Sequence, residues 1–197
     1  MGRLLRRAQA SVEGLSPGYF SMVMATGILS LAAHLLQLPR LAMALFALNW
    51  LLFASIGTLA LLHLWWQPRR VLADLFDHLR APGFFTLVAA CAILGGQSLV
   101  LGGSLRLALA LGGTGLLAWV VLTYTIFTVL TIKRDKPPLD RGINGGWLLA
   151  VVATQSMSVL AALVSNELPQ PLRLELNFFA LSMWLWGGML YIWMMSL

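Results

Sequence analysis

An all-α polytopic membrane protein with about six transmembrane helices is the fold class this sequence predicts, and three observations predict it. Hydrophobic residues make up 59% of the 197 positions and charged residues only 10%, where a soluble domain carries about 25% charged. One water-facing core cannot hide that much apolar surface. The apolar residues are also gathered into uncharged runs of about 18 or more, the length that crosses the hydrocarbon layer as a helix. Finally, the basic residues lie between those runs, so the net charge of +6 does not form the one-sided patch a nucleic-acid partner needs. The expected partner is the lipid bilayer.

The uncharged runs are 17–36, 41–66, 83–105, 107–131, 146–164 and 176–197, which makes 1–197 a single transmembrane domain. Short connectors at Gln37–Arg40 and Gly102–Arg106 join the first two and the next two runs. Orientation follows from counting Lys and Arg. One side has ten, namely Arg3, Arg6, Arg7, Arg69, Arg70, Arg80, Lys133, Arg134, Lys136 and Arg141, and the other has three, Arg40, Arg106 and Arg173. Basic loops stay inside, so both termini are expected in the cytoplasm of a cell whose cytoplasmic membrane holds the protein. The basic N-terminal segment imitates a signal peptide, but no small-x-small cleavage site closes the first run, which is read as helix one. Between the second and third runs, residues 69–80 place Val71, Leu72, Leu75, Phe76 and Leu79 on one helical face. A short amphipathic helix lying in the headgroup region is expected there, the alternative being an extension of the second span into water.

An internal repeat organises the six spans. Gly18-Tyr19-Phe20, Gly83-Phe84-Phe85 and Gly146-Trp147-Leu148 open the first, third and fifth, at spacings of 83 − 18 = 65 and 146 − 83 = 63 residues. Five residues on stand Val23, Val88 and Val151; seven on, Ala25, Ala90 and Ala153; eight on, Thr26, Cys91 and Thr154; twelve on, Ser30, Gly95 and Ser158. Each repeat is a helical hairpin, about 17–66, 83–131 and 146–197, and all three start on the same side of the membrane. Parallel repeats of this kind generate a central axis. The recurring small and hydroxylated residues have two readings: close helix packing, or the lining of an aqueous path. On the second, Thr26, Ser30, Cys91, Gly95, Gln97, Thr154, Gln155 and Ser158 are the pore-lining candidates, and Lys133, Arg134, Lys136 and Arg141 stand at the cytoplasmic mouth.

The remaining chemistry narrows the class. No Asp, Glu, Lys or Arg occupies the centre of a span, which argues against a proton relay or a tight cation site. Three helix N-termini beside basic loops favour anions instead. His34 and His63 sit at opposite ends of their spans and cannot share a haem or a metal, and the single Cys91 allows no intrachain disulfide. No catalytic triad, metalloprotease motif or phosphate loop is present, so neither an enzyme nor a cofactor or metal site is expected. Gly112-Gly113-Thr114-Gly115 reads as a close-packing patch within the fourth span.

Ser16-Pro17-Gly18-Tyr19-Phe20 continued by Val23-Met24-Ala25-Thr26-Gly27, together with residues 137–147 (Pro-Pro-Leu-Asp-Arg-Gly-Ile-Asn-Gly-Gly-Trp), resembles the tellurite-resistance/dicarboxylate transporter family. That family includes tellurite-resistance proteins, malate permeases, sulfite efflux pumps and plant slow anion channels. The resemblance implies five hairpins around a pore lined by the first helix of each, commonly in a trimer, and a small anionic substrate such as a C4-dicarboxylate, tellurite or sulfite. This sequence shows three of the five hairpins. The helix that carries the family's gating Phe has no counterpart in it, so no gate residue is assigned. The alternative function is a truncated or non-conducting module that needs a partner or an oligomer to form a pore.

Overall fold

The computed structural model describes residues 16–132 and 144–196. Six helices among them are long and apolar enough to cross a membrane. Helix α1 is Ser21–Leu35, α2 Pro39–Trp66, α3 the short Pro68–Leu75, α4 Phe85–Val100, α5 Leu105–Ile132, α6 Leu148–Ser165 and α7 Leu172–Met195. Each long helix packs on its sequence neighbour to give the pairs α1/α2, α4/α5 and α6/α7. The expected spans are all present, with two boundaries shifted by four or five residues: the third ends at Val100 instead of residue 105, where the chain turns through Gly102 and Gly103 although no charge interrupts the run, and the last begins early. The last helix starts at Leu172 instead of residue 176, because the helix continues through Arg173 and Glu175. Long or charged side chains at a span's end reach the headgroup region without unwinding the backbone, and an acid in the first turn suits the helix dipole.

The turns that close the first two hairpins use one device. At the end of α1, Gln37 has a φ of 60°, its N–H donates to the His34 carbonyl at 3.0 Å, and the Leu38 N–H donates to the Ala33 carbonyl at 2.9 Å. That is a left-handed helix cap, which satisfies carbonyls the helix would otherwise leave open. Gly103 takes φ 60° at the corresponding place after α4, where glycine pays no steric cost.

Pro68 separates α3 from α2. Proline has no N–H to continue the helix and drives its predecessor extended, and Gln67 accordingly sits at φ −135°, ψ 54°. The segment is therefore a helix of its own rather than a longer α2. It is also shorter than the expected 69–80. After Leu75 the chain turns, with Asp77 Oδ1 accepting from the Leu79 N–H at 2.8 Å. Arg80 folds back to donate to Asp74 at 2.6 Å. The hydrogen bond to Asp74, reinforced by its charge, raises the Arg80 guanidinium above its ordinary value. Leu72, Phe76 and Leu79 stay exposed, as a face resting on a lipid surface would be.

The three first helices stand in a row, with α4 between α1 and α6. Helix α4 is the core of the molecule. From Phe85 to Leu99 only Leu87, Ile93 and Leu99 are even partly open, and residues six apart lie one and two-thirds turns round from each other, so they share no face. Aromatic contacts tie the second hairpin to the third: Phe127 of α5 lies 6.0 Å from Trp147 and stacks on Trp193 at 6.3 Å, and Trp119 meets Trp186 edge-on at 6.3 Å. Between apolar helices in lipid there is no hydrophobic drive, and packing of this kind carries the association.

Candidate functional site

The repeated glycine-aromatic signature becomes a repeated structure. Each first helix is entered through a 3₁₀ turn, Pro17–Phe20, Ala81–Phe84 and Gly145–Trp147. Prolines at the start of the first two turns supply a fixed φ where no N–H partner is needed. Ser16 Oγ accepts from the Gly18 N–H at 3.3 Å and Asn144 Oδ1 from the Gly146 N–H at 2.8 Å, so two of the three turns carry side-chain caps.

The turns touch in sequence, first to second and second to third. Gly83 makes the closest approach. A β-carbon there would lie 3.1 Å from the Gly18 nitrogen and 3.2 Å from Pro17 Cβ. At the second residue of α4, the Thr86 hydroxyl shares its proton between the Gly83 carbonyl at 2.7 Å and the Pro17 carbonyl at 3.1 Å, crossing between hairpins. Three helix N-termini thus share one end of the bundle, and their partial positive charges add there. Arg69, Arg70 and Arg80 belong to the segment between α2 and the second turn, at this same end, whereas Arg40, Arg106 and Arg173 stand at the opposite ends of their helices. Lys133, Arg134, Lys136 and Arg141, expected at the mouth, lie outside the described residues.

The structure gives the recurring polar positions particular neighbours. Ser30 Oγ donates to the Ala42 carbonyl at 2.8 Å and Ser158 Oγ to the Ala180 carbonyl at 2.6 Å, each clasping the second helix of its own hairpin. Gly95 takes the same place in the middle hairpin, where a β-carbon would lie 3.5 Å from the Ala108 carbonyl oxygen and 3.2 Å from Leu160 Cδ2. All three alanines are buried. Cys91 is buried against Gly115 of α5. Thr154 Oγ1 accepts from the Trp119 indole at 2.8 Å and donates back to the Ala150 carbonyl. Gln155 Nε2 donates to the Trp184 carbonyl at 3.1 Å, over Gly187. Thr26 differs. It is half-buried, and its hydroxyl is bonded to none of the described residues. Within the glycine patch, Gly112 and Gly115 sit against Leu160 and Cys91, while Gly113 faces open space.

Gln97 marks a site with a partner the sequence reading did not name. Its Oε1 accepts from Asn49 Nδ2 at 2.5 Å, both side chains are fully buried, and Asn49 Oδ1 and Gln97 Nε2 are left unpaired. The pair sits beside Gly27, between α1, α2 and α4. A lone Asn amid an apolar span is costly in lipid and was the available signal. The inward face of α2 was also legible, since its buried residues Ala42, Asn49, Ile56 and His63 recur every seven positions.

The serine clasps make a direct prediction. Ser30→Ala and Ser158→Ala each lower stability by about 0.6–1.7 kcal/mol, the range of interhelical hydrogen bonds in membranes, measured by SDS unfolding titration in mild detergent. Ser55→Ala is the control, because Ser55 Oγ bonds only within its own helix, to the Leu51 carbonyl. Equal effects at all three positions would remove the clasp from the account.

These features define a multi-pass, all-helical membrane protein whose repeated hairpins present their entry turns together. Residues 14–197 match the family described as SLAC1, voltage-dependent anion channel, and the chain belongs to that family, one of anion channels and transporters and not of enzymes. No curated protein and no solved structure matches the chain.

Proposed function

We propose that this chain forms a passive or weakly coupled path for small anions across the cytoplasmic membrane. The observation that carries the reading is the row of three touching entry turns, which gathers three helix N-termini at one end of the bundle. Small anions suit it: C4-dicarboxylates such as malate, or oxyanions such as sulfite and tellurite. The turn end faces the cytoplasm, where the basic connectors draw the anion in. Thr26 is the polar contact of choice on this path, its hydroxyl remaining uncommitted. The assembly is a homo-trimer, which crosslinking in native membranes would capture as a three-chain band.

Purified protein in liposomes tests the reading. Malate, sulfite or tellurite crosses faster than into protein-free vesicles, and a charged, membrane-impermeant thiol reagent acting on Thr26→Cys in a Cys91→Ala background lowers that flux. A second reading, a module that conducts only when joined by another chain, is favoured by the enclosure of α4, whose Cys91, Gly95 and Gln97 are all packed against protein. Flux equal to that of protein-free vesicles for every anion would discard the first reading and keep the second.

A further inference from the structure

Far from the entry turns, an apolar cleft of about 220 Å³ opens between α5, α6 and α7. Leu109, Gly113 and Leu116 of α5, Val164 of α6, and Leu176 and Phe179 of α7 line it, and no polar side chain among the described residues does. From Leu109 to Leu116 the cleft follows α5 for about 10 Å, against about 15 Å for one leaflet of the hydrocarbon core. It is a slot of lipid-tail dimensions, open to the surroundings because Gly113 places nothing in it.

Its outer end carries charge. Arg106 precedes Leu109 by three residues on α5, and Arg173 precedes Leu176 by three on α7, so each arginine stands one turn beyond the cleft on a helix face that lines it. Both are exposed. Arg173 Nη2 lies 3.5 Å from Asn166 Oδ1, over the end of α6, where the Glu167 N–H donates to the Val164 carbonyl. Among the described residues, two of the three arginines on this side of the bundle thus stand one helical turn from a residue that lines the cleft. Glu167 and Glu175 stand at the same end, so its net charge is near zero and a ligand there is recognised through its phosphate rather than through overall negative charge.

We infer that the cleft is a binding site for a membrane glycerophospholipid, one acyl chain lying along Gly113 and the phosphate held between Arg106 and Arg173. Snorkelling arginines at the headgroup level are suited to this, since each is attracted to lipid phosphate.

Native mass spectrometry of the full chain in mild detergent, titrated with dioleoyl phosphatidylglycerol or with dioleoylglycerol, tests the site. These lipids share their tails, and only the first has a phosphate. The wild type retains one phosphatidylglycerol about thirtyfold more tightly than dioleoylglycerol, the effect of two arginines. The double variant Arg106→Gln, Arg173→Gln binds the two lipids alike. Gly113→Phe, which has room for its ring in the cleft, retains neither, while its circular dichroism and thermal unfolding match wild type. Equal retention of both lipids by the wild type, or unchanged retention by Gly113→Phe, overturns the site. So does a chain oligomer that dissociates in Gly113→Phe, which would make a second copy the occupant.

Discussion

Gly27→Ala destabilises the bundle by about 1–3 kcal/mol, the cost of forcing one extra methyl into a filled core. The methyl would overlap Ile93 Cγ2 on α4 and come within 3.0 Å of Asn49 Nδ2 and 3.2 Å of Gln97 Oε1. Ile93 can rotate, but the amide pair cannot yield without losing its own bond. That bond lies where no water replaces it. The strain therefore spreads to both α2 and α4, the two helices α1 packs on. Gly57→Ala in α2 is the matching control, since nothing lies within 4 Å of a β-carbon there and a helical Gly→Ala change with room for the methyl is neutral to stabilising, by up to about 1 kcal/mol. SDS unfolding titrations of the two variants in one detergent decide the matter. Equal midpoints would mean that α1 is free to move away from Gln97.

The positions of the spans were legible because lipid imposes a simple rule: a run without charge, long enough, crosses as a helix. Where that rule stopped short, at residue 176, Arg173 and Glu175 were the reason, since a helix can extend past the point where charge begins. The repeat was legible too, and for a physical cause, because Gly18, Gly83 and Gly146 all fall within a 3₁₀ entry turn. The use of the repeated positions was not. A serine twelve residues after the turn glycine has the same spacing whether it faces water or a carbonyl, and only the neighbouring helix shows that Ser30 and Ser158 meet alanine carbonyls. Likewise Thr154 is claimed by Trp119, thirty-five residues away on the preceding hairpin, and a pattern internal to one helix cannot register such a contact. Gln97 was readable as an unusual polar residue; that it pairs with Asn49 follows from the way α1, α2 and α4 converge at Gly27.

Gly83→Ala separates the first two entry turns, at a cost of about 1–3 kcal/mol. The atoms a β-carbon would press on are the Gly18 nitrogen at 3.1 Å and the Pro17 carbonyl carbon at 3.4 Å, both main chain, with Pro17 Cβ between them at 3.2 Å. A proline-led turn has no rotamer by which to yield, so the turns must move apart as units. Thr86 resists that movement through its bond to the Pro17 carbonyl, and Thr86→Val by itself costs about 0.6–1.7 kcal/mol. Because the added methyl and the lost hydroxyl act on one contact, the double variant loses less than the sum of the two. Additivity to within about 0.5 kcal/mol would show that the hydroxyl is satisfied by the Gly83 carbonyl alone and does not hold the turns together. Flux then separates architecture from conduction. If the row of turns is the mouth of the anion path, Gly83→Ala alters flux per folded molecule in liposomes, because it respaces the helix N-termini that the anion meets first. A row that only holds the hairpins together would leave flux per folded molecule unchanged while the folded fraction falls.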